Sequence, residues 1–158
     1  MPKIGRYPKH KKIRIGYFSA DFHNHPIAYL TAELYELHDR ERFEIHAFSF
    51  GQDTKDKMNL RIKEGVDHFH DIRTMSYKDT AKLARSLEID IAVNLGGYTA
   101  HSRTEIFAMS VAPIQVNYLG YPGTMAADYM DYLVADQTII PKENQKYYSE
   151  KIVYMPHS

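Results

Sequence analysis

Two segments of the chain carry residue types that could do chemistry: Asp21-Phe22-His23-Asn24-His25-Pro26 and Gly120-Tyr121-Pro122-Gly123-Thr124. Each follows an apolar run that reads as a β-strand. The first offers a carboxylate and two imidazoles. Pro26 suits the first position of a helix, which makes His25 its N-cap. A neutral imidazole there can take a proton from a hydroxyl or bind the acceptor oxygen. Asp21 could orient that ring or receive the proton through water. The helix end favours a neutral ring and the Asp21 anion a charged one, so the two influences oppose. The plainer reading of His25 is a cap that satisfies backbone N–H groups.

His23 and His25 also form an H-x-H pair, a spacing that metal-dependent hydrolases use with further ligands from later strand ends. An exposed His23 is the plainer reading. His68 and His70 repeat the pair on a weak third strand, and His101 is the other nearby imidazole. The second segment, together with Gly96-Gly97, could let backbone N–H groups approach a sugar or phosphate, although Gly and Pro also build ordinary turns. Of thirteen tyrosines, Tyr98 and Tyr121 are placed near the crevice. No G-x-G-x-x-G follows the first strand and no P-loop motif occurs, which argues against a dinucleotide-binding domain or P-loop NTPase. Ser19, Ser102 and Ser110 lack a nucleophile-elbow context.

These residues need elements to position them. A chain of 158 residues that is 44% hydrophobic suits one domain with a sizeable core. Lys+Arg and Asp+Glu balance at 20 each, so no strong field points to nucleic acid or anionic lipid. Cysteine is absent, which excludes disulfides and thiolate catalysis. The N-terminus has no apolar leader and no run approaches the roughly 20 apolar residues of a membrane span. A soluble cytoplasmic protein without a membrane partner is the expectation.

Residues 1–11, with the basic run Lys9-His10-Lys11-Lys12, read as a solvated arm or linker, and 12–158 as the folded domain. Strands are predicted at Ile13–Phe18, Phe43–Phe50, Asp67–Ile72, Ile89–Leu95, Ile114–Leu119, Tyr132–Ala135 and Ile152–Tyr154. Ile27, Leu30, Leu34 and Leu37 follow Pro26 at helical spacing, with His38 near a helix end that favours a cation. A second helix is expected around Lys55–Glu64. Ser76–Asp79 and Ser102–Glu105 resemble capping boxes that open two more. Strands alternating with helices imply right-handed βαβ units and a doubly wound, mainly parallel α/β sheet. With strand order 3-2-1-4-5 and later strands outside, chain direction reverses between strands 1 and 4. Ligands of such sheets sit at that switch point, which the loops Ser19–Pro26, Asn94–Thr99 and Gly120–Thr124 would border.

Several segments, taken together and in order, resemble one known family. Lys12–Asp21 with Asn24-His25-Pro26, Val93-Asn94 with Gly97-Tyr98-Thr99, Ala112-Pro113-Ile114-Gln115 and Leu119–Thr124 are similar to the first half of the catalytic region of O-GlcNAc transferase and its bacterial and plant relatives. So are Met130-Asp131-Tyr132, Asp136-Gln137, Tyr148-Ser149-Glu150-Lys151 and Met155-Pro156-His157. Each match is short; their collinear order from residue 12 onward is specific.

The resemblance implies the N-terminal, Rossmann-like half of a GT-B glycosyltransferase, with TPR repeats before it and a second Rossmann domain after it in the parent chain. It implies inverting transfer of a sugar, N-acetylglucosamine in the family, from a UDP donor to Ser or Thr of a protein acceptor. Neither metal nor cofactor is implied. His25 matches the family's active-site histidine and Asp21 a carboxylate proposed to receive the proton, the two being assigned jointly. Leu119, Gly120 and Pro122 match the sugar-pocket wall, to which Tyr121, Gly123 and Tyr98 are added as substrate-binding candidates. Ile27 departs from the family, whose animal members carry a sugar-contacting Thr there. Groups for the leaving diphosphate belong to the second domain, so the isolated chain is expected to be inactive. The alternative is a non-catalytic protein- or nucleotide-binding module that keeps the fold.

Overall fold

Alternating strands and helices assemble into one sheet. The computed structural model describes residues 1–156, so His157 of the last matching segment lies outside the described residues. Seven strands, all parallel to their neighbours, run in the order β3-β2-β1-β4-β5-β6-β7. They are β1 Ile13–Ser19, β2 Phe43–Ser49, β3 His68–Asp71, β4 Ile91–Asn94, β5 Ile114–Tyr118, β6 Tyr132–Ala135 and β7 Lys151–Tyr154. The order and the switch between β1 and β4 agree with the sequence reading, because right-handed crossovers leave few other ways to lay such a chain down.

The same rule sorts the helices. α1 (Pro26–Leu37) and α2 (Lys57–Gly65) cover one face, burying Ala28, Ala32, Tyr35, Met58 and Ile62 against Ile15, Tyr17 and Ile45. After the switch, α3 (Tyr77–Ser86) and the short α4 (Glu105–Ala108) cover the other face, with Ala81, Ala84, Ile106 and Phe107 against Phe18, Phe48 and Ala92. β1 thus sends Ile15 and Tyr17 to one layer and Phe18 to the other, as a period of two requires. Phe18 and Phe48 stack with centroids 4.4 Å apart and planes 3° from parallel. That stack needs Gly16, where a Cβ would stand 2.9 Å from the Phe48 ring.

Three local expectations are corrected. The core-facing stripe of α1 is Ala28, Thr31, Ala32 and Tyr35, while Leu30 and Leu37 are 66% and 74% exposed. Close approach to the sheet selects the small residues, and the large leucines at similar spacing fall on the outer side; Ile27 and Leu34 are half-buried between them. The charged form of His38 at the helix end is disfavoured rather than favoured. Burial, with the Arg40 charge, lowers its pKa, and Nε2 lies 2.8 Å from the Tyr17 hydroxyl. The Ser102–Glu105 capping box does not form, since the N-cap of α4 is Thr104, without a side-chain bond. His101 is left-handed (φ 61°), and the Ser102 N–H turns back to Thr99. At α3 the Ser76 hydroxyl does accept from the Asp79 N–H at 3.1 Å and donates to its carboxylate at 2.7 Å.

Residues 1–11 form no helix or strand but are not free. His10 sits between Glu88 (2.8 Å) and Asp90 (3.2 Å), and Arg85 donates to the Pro2 carbonyl at 2.7 Å. No helix among the described residues is long and apolar enough to cross a membrane.

Candidate functional site

A cleft of about 710 Å³ opens at the carboxyl edge of the sheet, over the β1/β4 switch point. The loop after β1 supplies Asp21, His23 and His25, and the first turn of α1 supplies Ile27; the loop after β4 supplies Gly96, Thr99 and His101; Gly120 closes it from the end of β5. A further wall went unread in the sequence. Gly51, Gln52 and Thr54 after β2, and Arg73 after β3, line the cleft too. The strand order carried that signal, since β2 lies beside β1 and ends at the same edge.

Asp21 is fixed at the end of β1 by its own N–H, which donates to the buried Ser19 hydroxyl at 2.9 Å. Its two oxygens face the two imidazoles: Oδ1 is 3.9 Å from His23 Nε2, and Oδ2 is 3.8 Å from His25 Nδ1. Those distances exceed a direct hydrogen bond and suit charge contact or a bridging water. His25 is the N-cap of α1, with extended backbone (φ −150°, ψ 148°). Its Nδ1 accepts the Ile27 N–H at 3.2 Å. An Nδ1 that accepts carries no proton, so the neutral ring has its hydrogen on Nε2 and offers a donor there. Capping and chemistry are therefore coupled: the ring can take up a proton on Nδ1 only by releasing Ile27, beside the Asp21 carboxylate.

α2 holds this loop from outside. The Asn24 N–H donates to Asp56 Oδ2 at 2.9 Å, and the fully buried Asn59 amide donates to the Phe22 carbonyl at 2.7 Å. Asp56 is also the N-cap of α2. Desolvation works to raise its pKa, but the N–H of Asn24, the Thr54 hydroxyl and the N–H groups of Asn59 and Met58 outweigh it and hold the carboxyl at about 2. Neither residue stood out in the sequence, because both bonds span more than thirty positions.

The second segment divides. Gly120 approaches β4 so closely that a Cβ would lie 2.1 Å from the Leu95 carbonyl oxygen, and its N–H donates to that oxygen at 3.1 Å. Leu119 before it takes a left-handed φ of 74° to make the turn. Tyr121 and Gly123 border a separate recess with Tyr147 and Tyr148. The Pro122 carbonyl accepts from the Tyr148 hydroxyl at 3.0 Å. Tyr98, half exposed, donates to the Met125 carbonyl at 2.8 Å and meets the Tyr121 ring edge-on at 5.9 Å. Buried Glu150 ties off the segment, accepting from the Thr124 hydroxyl at 2.6 Å and the Met125 N–H at 2.5 Å.

Comparison with known proteins finds matches along most of the chain. A family model described as Glycosyl transferase family 41 matches residues 4–158. A probable UDP-N-acetylglucosamine–peptide N-acetylglucosaminyltransferase, SEC, of Arabidopsis thaliana is 43% identical over 147 residues, covering 93% of this chain and 15% of that protein. The UDP-N-acetylglucosamine–peptide N-acetylglucosaminyltransferase of Caenorhabditis elegans is 37% identical over 150 residues, 94% of this chain and 13% of that protein. Among solved structures, an O-GlcNAc transferase variant from Thermobaculum terrenum superposes with a TM-score of 0.88 at 31% identity, over 93% of this chain and 28% of that one. The chain thus spans about a seventh of the length of these two curated relatives.

Proposed function

The chain belongs to glycosyl transferase family 41, and from that membership we propose that it is the acceptor-side half of an inverting protein O-glycosyltransferase. The sugar is N-acetylglucosamine, carried by a UDP donor that is a substrate and not a cofactor. The acceptor is a Ser or Thr hydroxyl of a protein. A second Rossmann domain and a TPR region of the parent chain complete the enzyme, which works in the cytoplasm without nucleic acid or membrane.

The observation that carries this reading is the pairing of Asp21 and His25 in a cleft closed by Gly120. In an inverting transfer the acceptor oxygen attacks C1 of the sugar as the bond from C1 to the diphosphate oxygen breaks. The acceptor loses a proton and the diphosphate gains the bonding pair. Asp21, an acceptor-only group, receives that proton through water. His25 Nε2–H donates to an oxygen at the reaction centre, while the Nδ1 bond to Ile27 fixes the ring. Positioning and charge stabilisation do the rest. Ile27 presents an apolar side chain to the cleft where the family's animal members have a hydroxyl, so the sugar meets one hydrogen-bonding group fewer.

Asp21→Asn and His25→Ala in the intact parent enzyme test this. Each should lower kcat for sugar transfer to a peptide by about 10²–10⁴-fold, the range of a positioned acid–base group. Unchanged transfer in both would instead favour the binding-module reading, in which His25 is only the cap of α1.

A further inference from the structure

We propose that Glu44, His46 and His68 bind one divalent transition-metal ion, such as zinc, on the β2–β3 edge of the sheet, apart from the cleft. Glu44 and His46 alternate on β2, and His68 opens β3 in register with His46. The two-residue period of a strand therefore sends all three to one face. One donor atom of each lies within 4.8 Å of the others. Glu44 Oε1 is 3.3 Å from His46 Nε2 and 2.9 Å from His68 Nε2. Around a tetrahedral zinc with bonds of about 2.0–2.1 Å, neighbouring ligand atoms stand about 3.3 Å apart. Two sides of the ligand triangle are already near that spacing.

An independent observation points to the same gap. His46 is 2% exposed, yet its Nε2 has no hydrogen-bond partner. Glu44 Oε1, 3.3 Å away, is close enough for charge contact but does not meet the geometry of a hydrogen bond. The other ring nitrogen, Nδ1, is 3.0 Å from His70 Nε2. When His46 donates to His70, a bare Nε2 lone pair faces a carboxylate oxygen, and two acceptors are in contact. In the other tautomer a buried N–H has only Glu44 Oε1, at 3.3 Å, to meet it. A cation between Nε2 and Oε1 removes the first conflict, and His70 becomes the outer partner that orients a metal-bound imidazole.

The surroundings suit such a site. Arg14 Nε, 3.4 Å from Glu44 Oε2, steadies the carboxylate's other oxygen, and Glu88 shares the Arg14 guanidinium at 3.3 Å. His68 is half exposed, so water can reach an open fourth position. To ligate, His68 moves its Nε2 proton to Nδ1 or releases it. Two imidazoles and one carboxylate select zinc, cobalt, nickel or copper over calcium or magnesium. The bound ion would pin the four-residue edge strand β3 to β2.

The test is titration of the chelator-treated chain with cobalt(II), followed by visible absorption, and with zinc(II), followed by calorimetry. One saturable equivalent is expected, with cobalt bands of a low-coordinate nitrogen–oxygen site. His68→Ala, a change at an exposed position whose fold is checked by circular dichroism, should weaken binding at least about tenfold. Replacing both His23 and His25 should leave it unchanged. No saturable binding, an unaltered titration in His68→Ala, or loss on replacing His23 and His25 each overturns the proposal.

Discussion

At the scale of single residues, the site depends on groups whose two ends do different things. His25 caps α1 with Nδ1 and presents Nε2–H to the cleft. Glu150 is the counterpart under the second segment. It is 4% exposed and accepts from Thr124, Ser149 and the Met125 backbone. Glu150→Ala should leave the Met125 N–H buried without an acceptor, a cost of about 1–3 kcal/mol, read as a lower urea midpoint. An unchanged midpoint would mean that the segment re-pairs with water. His25 and Asp21 were legible in the sequence because a carboxylate and imidazoles directly before a helix-opening proline are a local pattern. Glu150 was legible only as part of a family motif, since Met125 and Thr124, which it holds, lie 25 and 26 residues away.

At the scale of elements, packing decided what periodicity left open. α1 shows the limit. Leucines at helical spacing announce an amphipathic helix, but the helix lies on its small residues, and only the distance to β1 and β2 determines that choice. Gly16 shows the converse, a position empty of side chain because three neighbours fill it: Phe48, Ile89 and Phe18. Gly16→Val should separate the Phe18–Phe48 stack and destabilise the chain by about 1–3 kcal/mol through overpacking, measured by chemical denaturation. Stability equal to the wild type would show that the stack can shift at no cost. α2 is the element whose role was least visible. Its Asp56 and Asn59 position the Asp21–His25 loop, a function with no local signature.

At the scale of the whole molecule, the cleft has one wall of groups proposed as catalytic, and the groups proposed to stabilise the leaving diphosphate are assigned to another domain. The isolated chain should therefore show no turnover of UDP-N-acetylglucosamine with a peptide acceptor above the buffer blank; measurable transfer by this chain alone would refute the half-site reading. By itself the sequence determined the alternation of elements, the strand order and the switch point. Hydrophobic period, turn residues and the right-handed crossover act locally or by a rule of handedness, and both can be read along a chain. Only the tertiary structure decided which face of α1 is buried, that the loops after β2 and β3 wall the cleft, and that Tyr121 and Gly123 turn away from Gly120 into another recess. It also brought Glu44, His46 and His68 within reach of one ion. Those outcomes rest on contacts between residues distant in sequence, whose distances and directions are set only once the sheet has formed.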